Sequence, residues 1–183
     1  AILLTAIAVI FSNIKNKNKE PETTLETTTT QEETTTEPPT KAYETDENYT
    51  RKIDFDSLKA TNPDVIAWVY IPGTVIDYPV LWKEYDIEYY LHHDINHQES
   101  YYSVYMDGYS NSDFSTLNNI IYGHHMKNGS MFAGLQSYDS QDYYEVHPTG
   151  MLVLPNQKYE IHFVAAYVAN VNDNAWQMDF SDQ

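Results

Sequence analysis

The sequence contains no cysteine. That excludes disulfides, thiolate metal sites, a lipid-modified cysteine and a thiol nucleophile within the 183 residues given. Basic residues are scarce, with 10 Lys and Arg against 27 Asp and Glu and a formal net charge of −17. Phosphate binding needs a basic face, so no nucleic-acid partner is expected. Arg51 is the only arginine. Residues 1–11 are apolar apart from Thr5, but they fall short of the roughly 20 residues that cross a bilayer as a helix. The chain opens on Ala1 inside that run. It is therefore expected to be a fragment, with residues 1–14 the end of a membrane anchor. A signal-peptide core with Ala6-Ile7-Ala8 as cleavage pattern is the competing reading. Lys15, Lys17 and Lys19 favour the cytoplasm for that flank by the positive-inside rule, which opposes an exported domain unless upstream charges outweigh them.

What is present divides into two parts. Residues 15–50 are rich in Thr and Glu with Pro21, Pro38 and Pro39. Such a segment buries too little apolar surface to offset the entropy of ordering it, so a disordered linker is expected. Thr- and Pro-containing stalks hold domains away from membranes; a tail with no spacer role is the plainer alternative. Residues 51–183 hold most of the 17 Tyr and all 3 Trp, enough aromatic surface for one core and a single domain.

Within that domain Asp54 is placed to cap a short helix that Asn62-Pro63 stops, because a residue before proline avoids the α region. Strand-like runs follow at 65–71 and 75–80 across the turn Pro72-Gly73-Thr74, and Pro79, lacking a donor, predicts an edge or entry strand. A short helix is expected over 84–91. His92, His93 and His97 come next and invite a metal reading, but no carboxylate or third His recurs at helical spacing, which favours solvated loop residues. Strands are expected at 102–106 and 119–123, separated by a Gly, Ser, Asn and Asp loop long enough to be functional. Helical pieces at 131–135 and 141–144 precede a hairpin with arms at 151–154 and 159–169. Short strands with helices confined to connections indicate a mostly β barrel or sandwich. With no closing strand, one edge would lie exposed.

The stretch that points to chemistry is Asn119-Ile120-Ile121-Tyr122-Gly123-His124-His125. A β-branched run hands a histidine to a polar, Gly-containing loop. Histidine titrates near physiological pH and so is suited to proton transfer. A hydrogen-bonded structural histidine is the plainer alternative.

These residues resemble the class B sortases of Gram-positive bacteria. The resemblance rests on an ordered set: Leu58, Asn62-Pro63-Asp64-Val65-Ile66-Ala67-Trp68-Val69, Ile71-Pro72-Gly73-Thr74-Val75-Ile76-Asp77-Tyr78-Pro79-Val80, Tyr90-Leu91-His92, Tyr105-Met106-Asp107, Ile120-Ile121-Tyr122-Gly123-His124-His125 and Met131-Phe132 with Leu135. It covers about residues 53–170. It implies a closed sortase β-barrel with short N-terminal and connecting helices, and a membrane-anchored cysteine transpeptidase with its catalytic domain outside the cell. In that family a Cys thiolate attacks a threonine carbonyl in a sorting signal, and a cell-wall precursor or pilin amine resolves the thioacyl enzyme. The resemblance carries the general acid onto His124 and a substrate-groove position onto Tyr122, with Asn111 a weaker candidate. His125 is a neighbour rather than a partner, and no cofactor is implied. The family's Cys and the Arg one strand later have no counterpart here and are expected beyond Gln183, since Arg51 precedes the stretch that carries the resemblance. The chain alone is expected to be inactive. A non-catalytic surface module that binds peptide or glycan is the alternative.

Overall fold

The computed structural model describes residues 15–16 and 51–168. In chain order the elements are β1 (Lys15–Asn16), α1 (Phe55–Thr61), β2 (Val65–Tyr70), β3 (Asp77–Trp82), α2 (Tyr89–His92), β4 (Val104–Met106), β5 (Ile121–Gly123), a 3₁₀ helix (Phe132–Asp139), α3 (Gln141–Val146), β6 (Thr149–Val153) and β7 (Lys158–His162). The fold is mostly β, as the sequence predicts. Its strands form one sheet in the order β1-β7-β6-β2-β3-β4-β5. Among the described residues this sheet is open rather than closed into a barrel, with β5 at one margin. At the other margin, two residues of the expected linker, Lys15–Asn16, pair with Tyr159 and Glu160 of β7.

Helix α1 starts where Asp54 accepts hydrogen bonds from Ser57 N (3.0 Å) and Ser57 Oγ (2.7 Å). Those bonds stabilise the carboxylate and hold the Asp54 carboxyl below its usual range. The helix ends at Asn62, which is fully buried. Its amide donates to Tyr90 Oη (2.9 Å) and Ile95 O (3.0 Å), and its Oδ1 accepts from Asp64 N (2.9 Å). One side chain thus ties the end of α1 and the start of β2 to α2 and the loop after it.

β2 and β3 form an antiparallel hairpin, paired from Tyr70↔Asp77 to Val65↔Leu81. Gly73 takes φ +74° in its turn, and a Cβ there would lie 2.4 Å from the His147 ring. The expectation that Pro79 marks an edge strand is overturned, because β3 lies between β2 and β4. The physical reason is local: the parallel ladder with β4 begins at Val80↔Val104, one residue past the proline, so Pro79 lies outside the two-sided stretch. Arg51, which precedes the stretch carrying the resemblance, packs on the sheet, its guanidinium 4.7 Å from the Trp68 ring centroid and ion-paired with Asp77.

Other boundaries also shift. The helix expected from residue 84 begins only at Tyr89, because Tyr85 is left-handed (φ 58°) and Asp86 Oδ1 accepts from Glu88 N (3.1 Å) and Tyr89 N (3.0 Å). The second hairpin pairs Thr149↔His162 through Val153↔Lys158, shorter than expected, and Ala169 lies outside the described residues.

Apolar side chains fill both faces of the sheet. One cluster joins Val69, Ile76, Val80, Ile121 and Leu152 to Phe132 and Leu135 of the 3₁₀ helix. The other joins Trp68, Leu81 and Tyr105 to Phe55 of α1 and Tyr90 of α2. The candidate site lies where α2 meets the end of β5.

Candidate active site

β4 and β5 run antiparallel, with Met106↔Ile121 at one end and Val104↔Gly123 at the other. Gly123 is required there: a Cβ would lie 2.6 Å from Cγ of Phe132, whose ring closes over the strand end. The next residue, His124, is buried, with 3% of its surface exposed. Its backbone carbonyl accepts from Phe132 N (2.9 Å), which folds the following loop back on the strand. Within that loop Gly129 N donates to Met126 O (3.0 Å), Asn128 Oδ1 accepts from Ser130 N (3.1 Å), and His125 bridges Met131. The His124 side chain is therefore presented by a strand end and a closed turn, not by a loose loop.

Nε2 of His124 lies 3.0 Å from the carbonyl oxygen of Leu91 in α2. A carbonyl can only accept, so Nε2 carries the proton. Nδ1 makes no hydrogen bond among the described residues, nor is it among their sealed, unpartnered polar atoms. The Tyr101 ring meets the imidazole edge-on at 5.2 Å, and His92 meets Tyr101 in the same manner at 6.0 Å. This arrangement can hold and deliver a proton in a fixed direction.

Tyr122 lies two residues earlier and packs on the face that carries Tyr90 and Leu91. Its hydroxyl donates to Oδ2 of the buried Asp107 (2.9 Å), and its ring lies 5.3 Å from Tyr105. Burial first, and then the Asp107 charge, push the Tyr122 phenol well above its usual value. Tyr122 is a protonated, half-buried donor.

Comparison with known proteins gives a consistent answer. The chain is similar to sortase B of Listeria monocytogenes (36% identical over 127 residues, 69% of this chain and 51% of the relative) and to sortase B of Staphylococcus aureus (31% over 129 residues, 70% and 52%). A solved structure of sortase B from Listeria monocytogenes matches with TM-score 0.63 and 34% identity, over 70% of this chain and 74% of that one. The chain belongs to the sortase B family. A Staphylococcus aureus sortase B–substrate complex matches with TM-score 0.64 and 31% identity, over 70% of this chain and 59% of that one. No family model matches. The chain spans about half the length of the curated relatives it matches.

The other sequence candidates lie elsewhere in the sortase fold. Asn111 belongs to the connection that leaves β4 at Met106, the end opposite His124, where its amide donates to Ser115 Oγ (2.9 Å). It borders an open cleft of about 310 Å³ walled by Trp82, Tyr85 and Tyr109. His93 and His97 both serve Tyr89: His93 stacks on its ring at 4.3 Å, and His97 Nδ1 bonds its hydroxyl at 3.0 Å. Among the described residues no three His, Asp or Glu groups are arranged to hold a metal. Sequence reasoning missed Leu91, Tyr101 and Asp107 as partners of the site. The Leu91 contact is made by its backbone and so leaves no side-chain signal. Asp107 was visible only as the polar end of Tyr105-Met106-Asp107.

Proposed function

We propose that this chain carries the acid–base half of a class B sortase, a cysteine transpeptidase that cuts a C-terminal sorting signal at a threonine carbonyl. It then transfers the protein to a cell-wall or pilin amine. The observation that carries this reading is His124, buried at the end of β5 with Nε2 held by Leu91 O and Nδ1 unclaimed among the described residues. The thiolate sulfur attacks the carbonyl carbon, the C–N bond breaks, and the imidazolium gives its proton to the departing amine. The acceptor amine then attacks the thioester, its proton passes to the imidazole, and the thiolate leaves. Dividing amide exchange in this way lowers each barrier.

In this reading the Cys nucleophile and an Arg that stabilises the oxyanion come from residues other than these 183, which contain no cysteine and only Arg51. Residues 1–14 are the end of an anchor, 15–50 a linker and 51–183 part of the catalytic domain, held at the outer face of a single-pass membrane protein. The partners are sorting-signal-bearing proteins and the acceptor amine. The missing thiol favours a second reading, a non-catalytic surface module that binds peptide or glycan.

The test is cleavage of sorting-signal peptides by the full-length protein. His124→Ala is expected to lower turnover by about 10²–10⁴-fold, the usual contribution of a general acid–base group. Undiminished turnover removes His124 from the mechanism. Peptide binding without any thioacyl adduct in the full-length protein would establish the non-catalytic module instead. The 183 residues alone are expected to show no turnover.

A further inference from the structure

We propose that the Leu91 carbonyl and the Tyr101 ring are positioning groups that lock His124 in its Nε2–H tautomer and so make Nδ1 the atom that exchanges the proton. The catalytic part of this inference rests on the role proposed for His124 above; the tautomer does not.

Helix α2 is one turn long, and a helix end leaves carbonyls that need outside donors. Here the carbonyls of Tyr89, Leu91 and His92, and that of the following His93, have partners. Tyr89 O lies 2.8 Å from His93 Nδ1, His92 O accepts from Ser100 N (2.8 Å), and His93 O accepts from Ser103 Oγ (2.6 Å). Leu91 O is left for His124 Nε2. The carbonyl is also held from behind: Asp86 Oδ1 accepts from Tyr89 N at the start of α2 (3.0 Å), and Tyr90 Oη donates to Asp64 Oδ2 (2.7 Å). The helix is thus a fixed platform, and the acceptor it offers specifies which ring nitrogen is protonated.

One hydrogen bond still permits the imidazole to swing about the Nε2 contact. Tyr101, 38% exposed and edge-on to the ring at 5.2 Å, blocks that swing from the solvent side. In the proposed reaction the proton leaves Nδ1 for the amine nitrogen as the C–N bond breaks and the sulfur–carbon bond forms. It returns to Nδ1 from the acceptor amine as the C–S bond breaks. The Nε2 proton stays on Nε2 throughout, donated to the Leu91 carbonyl.

Long-range proton–nitrogen NMR of the full-length enzyme, ¹⁵N-labelled at histidine and recorded where the rings are neutral, reads the tautomer directly. The His124 signals are identified by their loss in His124→Gln. A protonated Nε2 with a bare Nδ1 is expected; a protonated Nδ1 overturns the proposal without any activity measurement. Tyr101→Ala is expected to give a tautomer mixture and a kcat at least tenfold lower with little change in KM for the peptide, while Tyr101→Phe, which keeps the ring, restores both. Tyr101→Ala with unchanged tautomer and kcat would remove Tyr101 from the positioning role. If His124→Ala retains activity while the Nε2–H tautomer is observed, the catalytic role fails and Leu91–His124 stands as a helix cap alone.

Discussion

Asp107 is 5% exposed, and its two carboxylate oxygens are divided between Tyr109 N on Oδ1 (2.8 Å) and the Tyr122 hydroxyl on Oδ2 (2.9 Å). Removing one donor leaves a buried acceptor short of a partner, which costs more than the hydrogen bond itself contributes. Tyr122→Phe is therefore expected to lower stability by about 1–3 kcal/mol, measured as the denaturant midpoint at neutral pH. The same residue contributes to an alkaline limit, together with Tyr90, Tyr105 and Tyr138, whose phenols burial raises likewise. Its folded-state pKa is raised above the ordinary value of 10.0, so the phenol's contribution is complete below pH 10 and is lost as pH rises through the folded value. The wild-type should lose stability above that pH more steeply than Tyr122→Phe; equal slopes would mean that Tyr122 is not among the groups responsible. The sequence placed Tyr122 two residues ahead of the histidine, and the family resemblance put it at a substrate-groove position. Its partner was not legible, because Asp107 lies 15 residues away and meets it only through the β4–β5 register.

At the scale of elements, identities were more legible than connections. The run at 65–71 and the alternation after Tyr159 became β2 and β7, and Asp54 caps α1 through Ser57 as its position predicts. What composition could not carry was pairing order. β3 joins β4 in parallel although the two are separated by α2, and this relationship, not its own residues, puts β3 inside the sheet, with Pro79 just outside the stretch paired on both sides. Asn62 was legible only as a helix stop before Pro63, yet it is the joint between α1, β2 and α2. Asn62→Ala deletes three bonds in a site with no exposure and leaves Ile95 O and Asp64 N without their Asn62 partner, while the Tyr90 hydroxyl keeps Asp64. A loss of about 3 kcal/mol is expected, from roughly 1–3 kcal/mol for each buried group left without a partner. Because α2 carries Leu91, a stable Asn62→Ala variant should also blur the His124 tautomer. Urea unfolding and the histidine spectrum together check this, and a change within 0.5 kcal/mol, on the order of ordinary surface substitutions, would show that Asn62 is not the joint.

Considered as a whole molecule, the sheet has unequal margins. β7 is bordered by Lys15–Asn16, whereas β5, the strand that delivers His124, has only β4 beside it among the described residues. An unpaired strand edge offers a row of free N–H and C=O groups and invites another strand. In the reaction proposed above, His124 at the end of that edge is expected to meet what such a strand brings to it. Completing the sheet and completing the active site are therefore expected to be one event: a strand bearing the thiol pairs along β5 and places sulfur opposite Nδ1 of His124. Amide exchange distinguishes the two states. In the full-length enzyme all amides of Ile121–Gly123 should exchange slowly, whereas in the 183-residue chain those turned away from β4 should exchange at rates near those of an unprotected peptide. Equal protection in both would mean that β5 is already covered and that the nucleophile approaches His124 from another side.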